Sequence, residues 1–499
     1  MIHRIAPLAI AIASVMLAGC AAVGPGHTTP DTAAPSDWTS WRSADASLRD
    51  ISSASGLSAT WWQAFGDPVL DALQQRAAAS SPDLQTAALH FAQARTQRST
   101  VAAQRGPQVN ASAGAARQAQ SEHGASTRML GVMGASPSVA ELLASPFTLY
   151  QAGFDASWEP DLWGRVRRSI EAADADVAQQ AALLDLARLS LASELARNYF
   201  ELRTTQRQIV LAREDIAALQ DRLELQQARV EGGVISHLNL EQQRAELAAI
   251  RAQLPELLAQ EGASANQIAL LLGEHPGALR NELAAQAAVD TSAAKAALPD
   301  LALGLPSEVA QRRPDIRAAE ARLRRATASI GVARADLYPS IRLGAHFGLE
   351  SYQSSEFADW GSRAWSIGPS LSLPLFDQGR RKSVVQLREL EQQEAAVNYQ
   401  KTVLKAWQEI DDALSAYTAE QQQVQQLELR MRSAGDAWQL AQARYDGGAA
   451  DFIAVLDSQR AYLQARRDLA ASHGRLNMRY VVVQKAVGNA PPADVMRRE

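Results

Sequence analysis

The single cysteine of this 499-residue chain lies where its thiol could carry a covalent lipid. A basic N-terminus precedes an apolar stretch from Ile5 to Leu17, which is too short to span a bilayer as a helix. Small residues then lead into Cys20, an order typical of the cleavage site of bacterial lipoproteins. Cleavage would leave Cys20 at the new N-terminus, where acyl chains anchor a protein to a membrane. Ala21 follows, and because Asp is the common inner-membrane retention signal at this position, sorting outward is favoured.

Beyond this lipidation motif we find no sequence pattern that carries chemistry, and none that predicts an enzyme or a metal centre. We find no GxxxxGK[ST] phosphate loop, no GxSxG nucleophile turn and no HExxH zinc helix. One cysteine cannot form a disulfide within the chain or a thiolate cluster. The 7 methionines and 8 histidines are not clustered, so a metal-exporting variant has no support in the composition. We therefore expect no cofactor and no metal, only the lipid on Cys20.

The composition favours long packed helices over a compact enzyme fold. Apolar residues make up 47% of the chain but aromatic residues only 6%. Gln, Ala, Leu, Arg and Glu dominate, which is typical of helix-rich proteins. The net charge of −5 is too small to indicate binding to nucleic acid.

The sequence is internally duplicated. Residues 82–112 align without a gap with residues 314–344. Ten residues between Glu194 and Gly233 then recur 215 positions later, between Glu409 and Gly448. Each copy has the pattern of a helix, a strand pair, a very long helix, a tight turn and a helix. A repeat of this length indicates a structural duplication, and this order favours a channel over an enzyme.

The duplication also sets the domain boundaries that we predict. A segment rich in Gly, Pro, Ser and Thr follows the signal peptide and has the character of a tether, whereas Trp61 and Trp62 mark the start of packed structure. The predicted regions are a signal peptide at 1–19, a lipidated tether at 20–60, a first repeat at 61–273, a connector at 274–305, a second repeat at 306–488 and a C-terminal tail at 489–499.

Four segments alternate between apolar and polar residues with the period of a β-strand. They lie near 107–117, 149–160, 339–350 and 364–375, and each is about as long as a tilted transmembrane strand. A soluble sheet with one buried face would alternate in the same way. Tryptophans near the strand ends favour a membrane barrel with a wet lumen, because such residues concentrate at membrane interfaces. They are Trp158, Trp163, Trp360 and Trp365.

A membrane barrel must be closed, because an open edge would leave unpaired backbone groups in lipid. Four strands cannot close, so the chain must oligomerise to complete a barrel. A dimer would supply eight strands, whose lumen side chains would fill, whereas a trimer would supply twelve and leave a pore. Ionisable residues on the polar face would then line the lumen and tune conduction, or merely solvate its wall; they are Asp155, Glu159, Arg342, His346 and Glu350.

Two proline-free segments, Arg165–Glu231 and Arg380–Asp446, predict exceptionally long helices. At about 1.5 Å per residue each would measure roughly 100 Å, enough to cross a periplasm. Two shorter helices in each copy together nearly match one long helix, and Pro255 predicts a bend in one of them. Heptad spacing predicts lateral packing of the short helices through Leu240, Leu247 and Leu254 in the first copy and Val455, Tyr462, Leu469, Leu476 and Val483 in the second.

Each long helix ends at paired glycines. Gly232-Gly233-Val234-Ile235-Ser236 and Gly447-Gly448-Ala449-Ala450-Asp451 predict a left-handed glycine that stops one helix and a Ser or Asp that caps the next.

Several motifs together resemble the TolC-like outer-membrane efflux proteins, specifically the lipid-anchored NodT-like branch. The resemblance covers essentially the whole mature chain. The motifs that carry it are LAGC at 17–20, VGP at 23–25, WWQAFGDP at 61–68, LPSEVAQRRPDI at 305–316, PLFDQGR at 374–380 and RYDGG at 444–448.

The resemblance implies a mostly α-helical α+β membrane protein in the bacterial outer membrane. It implies a homotrimer with a 12-stranded β-barrel, a long α-helical periplasmic barrel and a small equatorial domain that includes the 274–305 connector. It also implies a passive channel for small molecules, with a periplasmic adaptor and an inner-membrane pump, typically proton-driven, as partners.

The resemblance further implies roles for particular residues. The two helical turns correspond to the periplasmic tips that meet the adaptor, through Gly232, Gly233, Val234, Gly447, Gly448 and Ala449. Asp457 matches a lumen-facing carboxylate at the closed entrance, and Tyr445 and Arg444 match a closed-state network. Three copies of Asp457 would form an acidic ring that attracts cations, although a solvated helix-face carboxylate explains this residue equally well. The family often has a second Asp three residues earlier, where this chain has Ala454.

Other functions remain open from the residues alone. A type I protein-secretion channel uses the same architecture, but its members commonly lack a lipidated cysteine. A non-conducting coiled-coil scaffold that bridges the periplasm would explain the helices but not the alternating strands. An ordinary signal peptide before an incidental Cys20 is the alternative to lipidation.

Overall fold

The computed structural model describes residues 22–30, 35, 37–39, 41–49, 53–54, 60–121, 123–124, 128, 132–134, 137–233, 236–287, 301–303 and 306–491. The predicted signal peptide, Cys20 and Val234 lie outside the described residues. The chain divides into two compact units. The sheet unit comprises Met1–Thr28, Ala94–Val177 and Arg322–Ala395, and the helical unit comprises Thr29–Gln93, Ala178–Ala321 and Ala396–Glu499.

Helices account for most of the described residues. They are α1 (Pro68–Ser80), α2 (Pro82–Ala102), α3 (Pro137–Ala144), α4 (Arg165–Glu231), α5 (His237–Leu272), α6 (Arg280–Ala287), α7 (Pro306–Arg312), α8 (Pro314–Ala335), α9 (Arg380–Asp446) and α10 (Phe452–Ala486). The four long strands are β1 (Gln108–Gln118), β2 (Phe147–Trp158), β3 (Ser340–Ser351) and β4 (Arg363–Ser372). A four-residue helix, Ala46–Arg49, and a parallel pair of two-residue strands, Ser53–Ala54 and Leu301–Ala302, complete the regular structure of the described residues apart from short 3-10 turns.

The duplication is visible in the element bounds. Helices α4 and α9 are both 67 residues long and begin 215 positions apart. The strand-to-strand connection spans 119–146 in the first copy but only 352–362 in the second. The second connection is 17 residues shorter, which accounts for the change of offset between the two stretches of repeated sequence.

The four strands form one antiparallel sheet in the order β1-β2-β3-β4. The two middle strands come from different copies, and Asp155 lies opposite His346 where they pair. The outer strands β1 and β4 each have a single neighbour, so both outer edges of the described sheet are unpaired. The observed strands lie within three residues of the predicted bounds at every end, but β2 stops at Trp158, before Glu159.

One face of this sheet is apolar and solvent-exposed. The register places Phe154, Phe347 and Trp365 side by side, and their exposed fractions are 57%, 52% and 68%. Ile367 and Leu371 continue the same face and are 76% and 68% exposed. Among the described residues no layer covers this face, whereas a soluble sheet buries one side.

The hydrophobic core lies in the helical unit. The motif at 61–68 supplies its centre, because Trp61 and Trp62 are nearly fully buried and Phe65 packs its ring 4.6 Å from Phe200 and 5.2 Å from Tyr480. The motif ends by capping α1, since the Asp67 carboxylate accepts the N–H of Val69 at 2.9 Å. This stretch therefore fixes both the core and the start of a helix.

The predicted heptad residues pack inward. Leu240 and Leu247 of α5 are buried, as are Val455, Leu476 and Val483 of α10. Helix α5 runs without a break from His237 to Leu272 and includes Pro255, so the proline does not divide the helix. None of the helices in the described part of the chain is long and apolar enough to cross a bilayer.

Candidate functional site

Within the sheet unit, polar and ionisable side chains pair across the polar face of the sheet. Asp155 Oδ1 lies 2.8 Å from His346 Nδ1, and the Gln151 amide donates to Glu350 at 2.8 Å. Both pairs bridge β2 and β3, so three of the five predicted lumen residues lie on one face as expected. The strands approach closely here because Gly153 and Gly348 face each other, and a Cβ on Gly153 would lie 2.8 Å from the carbonyl oxygen of Phe347.

Glu159 and Arg342, the other two predicted lumen residues, meet where the strands give way to the long helices. Glu159 follows the end of β2 and accepts two hydrogen bonds from Arg165, at 3.0 and 3.1 Å. Arg342 Nε lies 3.7 Å from the same carboxylate. The alternating pattern placed Glu159 on the sheet. The strand β2 ends one residue earlier, and the Glu159 carboxylate binds Arg165, the first residue of α4.

This junction is held by side chains that bind backbone groups. Asp161 accepts the N–H groups of Val166 and Arg167, both at 2.9 Å, and so caps α4. The Trp163 indole donates to the carbonyl of Pro339 at 2.7 Å and stacks on Tyr338 with ring centroids 4.8 Å apart. Trp163 is thus a fixed structural element of the sheet base.

The segment that follows the predicted lipidation site is bound to this same junction. Val23 donates its N–H to the carbonyl of Trp163 at 3.1 Å. Arg168 donates to the carbonyls of Val23 and Gly24 at 3.2 and 3.1 Å. Gly24 has a φ of +102° and lies against Gly331, where a Cβ would be only 2.6 Å from the neighbouring Cα. The VGP motif therefore fixes the chain just after Cys20.

The helical unit contains both predicted tips. Gly448 has a φ of +73° and donates to the carbonyl of Tyr445 at 2.9 Å, while Ala449 donates to that of Arg444 at 2.7 Å. These two bonds form the Schellman motif that ends α9, with Gly447 just before the left-handed residue. Asp451 then caps α10 by accepting the N–H of Ala454 at 3.1 Å.

The first tip has the same design. Gly232 donates to Ala228 at 3.0 Å, and Gly233, with a φ of +72°, donates to Val230 at 2.9 Å. Ser236 accepts the N–H of Leu238 at 3.2 Å and caps α5. The predicted left-handed glycines and caps are confirmed at both turns.

The predicted entrance residues lie at or near the second tip, and within the single chain each has different surroundings. The Tyr445 ring packs 5.8 Å from Phe452 in an apolar cluster with Val455 and Leu456. Arg444 is exposed. The Asp457 side chain is 67% exposed and lies 3.9 Å from Arg460, so it is available to solvent and to other chains.

Sequence reasoning missed a partly buried arginine beside this tip. Arg222 of α4 donates to Gln459 of α10 at 2.6 Å and to Gln442 of α9, so it links three helices. Burial lowers the pKa of its guanidinium, with the charge of Asp446 opposing that shift. The repeat gave no signal, because the equivalent position in the second copy is Ala437.

A second missed contact ties the tether to the helical unit. The Arg42 side chain is fully buried and donates to Asp411 at 3.1 Å and to Ser415 at 3.0 Å. Ser43 donates to the second oxygen of Asp411 through both its N–H and its hydroxyl. Low periodicity hid this contact, since it depends on one buried charge pair and not on a repeating pattern.

Comparisons with known proteins agree with these features. The profile of the family described as "Outer membrane efflux protein" matches residues 73–274 and 305–489. The pyoverdine export outer membrane protein OpmQ of Pseudomonas putida is 33% identical over 436 residues, covering 87% of this chain and 88% of that protein. The probable outer membrane lipoprotein SilC of Salmonella typhimurium is 27% identical, covering 91% and 92%. The solved structure of the outer-membrane channel OprN is 30% identical, with a TM-score of 0.82, and covers 94% of this chain and all of that one.

The profile spans both repeats and omits the stretch between them, as the duplication predicts. The relatives match over nearly their whole length, so the likeness is not confined to one domain. The resemblance inferred from the sequence motifs is confirmed. This chain belongs to the outer membrane efflux protein family, whose structures are TolC-like channels.

Proposed function

We propose that this protein is the outer-membrane exit channel of a tripartite efflux system and that three copies complete its barrel. The observation that carries the proposal is the exposed apolar face of a sheet whose two outer edges are unpaired. Such a face is stable only against lipid or another protein, and such edges are stable only when another strand pairs with them.

Lipid is the partner that fits the apolar face. The strands are 10 to 12 residues long, which matches a tilted transmembrane strand. Aromatic side chains lie toward both ends of the sheet, with Trp158 and Trp163 at the helix end and Tyr150 and Trp360 at the other. Two such girdles are typical of barrels in outer membranes.

Copies of the same chain fit the edges. Backbone groups in lipid must all be paired, so β1 of one chain has to meet β4 of the next. Three chains give twelve strands, which leave room for an aqueous lumen, whereas two chains give a lumen filled by side chains. The hydrogen-bonded pairs Asp155–His346 and Gln151–Glu350 would line this lumen.

The tips are the surface that we assign to the periplasmic adaptor. Both turns end in rigid, capped geometry, and Gly447, Gly448 and Ala449 are exposed. We assign the supply of energy to an inner-membrane pump, because we propose that the channel itself conducts solutes passively. Asp457 would form the acidic constriction at the entrance, with three exposed carboxylates in one ring.

Small molecules are the substrate class that we propose. The relative OpmQ is named for export of pyoverdine, a small molecule and not a protein. The lipid on Cys20, as in the lipoprotein SilC, favours the same branch. Solutes would pass downhill through the lumen once the pump delivers them.

The test is conductance of the purified full-length protein in planar bilayers. We predict discrete, stable channels. Their conductance should rise in Asp457→Ala, because the substitution removes three carboxylates from the constricted entrance. Asp436→Ala is the control, since it removes an exposed carboxylate from the neighbouring helix α9. Membrane-inserted protein that conducts no ions would contradict the channel and favour a structural scaffold. Equal conductance in both variants would contradict only the role of Asp457.

A further inference from the structure

The sheet unit contains a cavity of about 380 Å³ at the strand-to-helix junction. Its walls come from the segment that follows β2, the end of α8, the start of β3, the end of β4 and the first residues of α4 and α9. Polar-face residues Ser340, Arg342 and Ser372 form part of the wall. Three of the four strand residues in its lining thus belong to the polar face, and the fourth, Ile341, belongs to the apolar face.

Four arginines and three acidic residues, Glu159, Asp161 and Asp336, line this cavity, and the acidic residues do not pair with all four arginines. Glu159 binds Arg165 through two short hydrogen bonds, and this bonding raises the pKa of Arg165. Asp161 is occupied in capping α4. Arg381 donates to the carbonyl of Asp336 at 2.5 Å and lies 3.6 Å from Asp377.

Arg342 and Arg380 remain as available cations. Arg342 reaches only 3.7 Å from Glu159, which Arg165 already occupies, and its side chain is 66% exposed. Arg380 is exposed, and among the residues that the structure describes no carboxylate lies within ion-pair distance of it. Two guanidinium groups with fork geometry in one cavity match a carboxylate or phosphate.

The aromatic wall adds a second feature. Trp163 and Tyr338 are stacked and line the same cavity, and the indole N–H is already bonded to Pro339. The rings therefore offer flat apolar surface beside the cations and do not compete for the anion. A small organic anion can contact both surfaces at once.

We infer that this cavity is an anion-binding site on the wall of the conduit, which takes the carboxylate or phosphate group of a permeating small molecule. The placement of this site on a conduit rests on the proposed channel function, whereas the binding of an anion in the cavity does not. In a trimer the three cavities would form a cationic level where the barrel meets the helices. A cationic ring there would oppose the acidic ring proposed for Asp457.

Equilibrium binding tests the site directly. The probe is citrate, titrated by calorimetry against full-length protein in neutral detergent. Arg342→Gln and Arg380→Gln should each weaken binding by about tenfold, the effect of one charge-assisted hydrogen bond. The matched control is Arg105→Gln, an exposed arginine close to the same end of the sheet that does not line the cavity. Equal citrate affinity in all variants would overturn the inference.

Conductance gives an independent measurement. In a salt gradient, the double variant Arg342→Gln/Arg380→Gln should lose about three quarters of the anion permeability relative to cations, since each charge at about 8 Å in water changes ion occupancy roughly twofold and the variant removes two charges. Unchanged reversal potentials would contradict the placement of the site on the conduit. A protein that binds citrate but conducts no ions would contradict the channel function alone.

A lipid headgroup carries the same chemistry, so the source of the anion must be separated. Citrate binding is repeated in nanodiscs of phosphatidylcholine with and without phosphatidylglycerol. Binding that is equal in both supports a solute site. Binding that phosphatidylglycerol abolishes would assign the cavity to lipid and overturn the conduit assignment.

Discussion

The left-handed glycine at the second tip allows a sharp test of how the tip is held. Gly448 has a φ of +73°, and a Cβ at this position would meet no atom within 4 Å. The whole effect of Gly448→Ala is therefore backbone strain, which costs a residue with a side chain about 1–2 kcal/mol. That cost corresponds to roughly a 5- to 30-fold larger population of the opened turn.

Gly447 provides the matched control one residue away. Its φ is not positive, and a Cβ there would lie 3.4 Å from the carbonyl of Ala443, an ordinary contact. Gly447→Ala should leave the turn unchanged or slightly stabilised, because alanine restricts the unfolded chain. The two variants add the same methyl group to adjacent residues, so surface chemistry does not differ between them.

Hydrogen exchange followed by mass spectrometry measures the opening. The amides of Gly448 and Ala449 donate the two bonds that close the turn, so peptides covering them report its stability. Exchange should be about tenfold faster in Gly448→Ala than in Gly447→Ala, with peptides from β2 unchanged in both. Equal exchange in the two variants would refute the argument that left-handed geometry at residue 448 holds the tip.

Three more predictions concern charged side chains of the helical unit, Arg222, Asp215 and Asp411. Arg222→Met leaves the carbonyls of two glutamines unbonded, so the thermal unfolding free energy should fall by about 2 kcal/mol; an unchanged midpoint would contradict the linking role of Arg222. Burial raises the pKa of Asp215 above 3.8 against the opposing charges of Arg466 and Arg467, so stability should decline as pH rises from 3.8 through the raised value. Asp215→Asn should remove that part of the decline in melts across about pH 4 to 7, and an unaltered profile would contradict it. Burial acts to raise the pKa of Asp411, but hydrogen bonds from Ser43 and Arg42 hold it below 3.8, so this contact should stabilise the fold above pH 3.8 and weaken below it. Asp411→Asn should destabilise the protein at neutral pH and reduce its loss of stability in acid, and melts identical to wild type at both pH values would contradict this.

Much of the fold could be predicted because it is periodic and repeated. The bounds of both long helices follow from two proline-free stretches that end at paired glycines, and the structure has them at the same residues. Alternation located all four strands, since each places apolar residues on one exposed face. The order of strands in the sheet required the structure, because the pairing of β2 with β3 joins the two copies.

Individual side-chain partners could not be read from the pattern. Glu159 continued the alternation of β2 by residue type, yet it binds Arg165 beyond the strand. The resemblance assigned Tyr445 to a closed-state network, and the structure adds a contact of its ring with Phe452. Arg222 and Arg42 are single charged side chains that belong to no repeating pattern. Their structural roles are therefore visible only from their hydrogen-bond partners in the structure.

The mass of the membrane-extracted protein is the most direct test of whether three copies of the chain close one barrel. Native mass spectrometry of the full chain in detergent counts the copies that close the sheet edges and detects lipid on Cys20. A trimeric channel predicts a particle of three lipidated chains that leaves the membrane only in detergent. A monomer, or a protein released without detergent, would contradict the barrel and with it the channel.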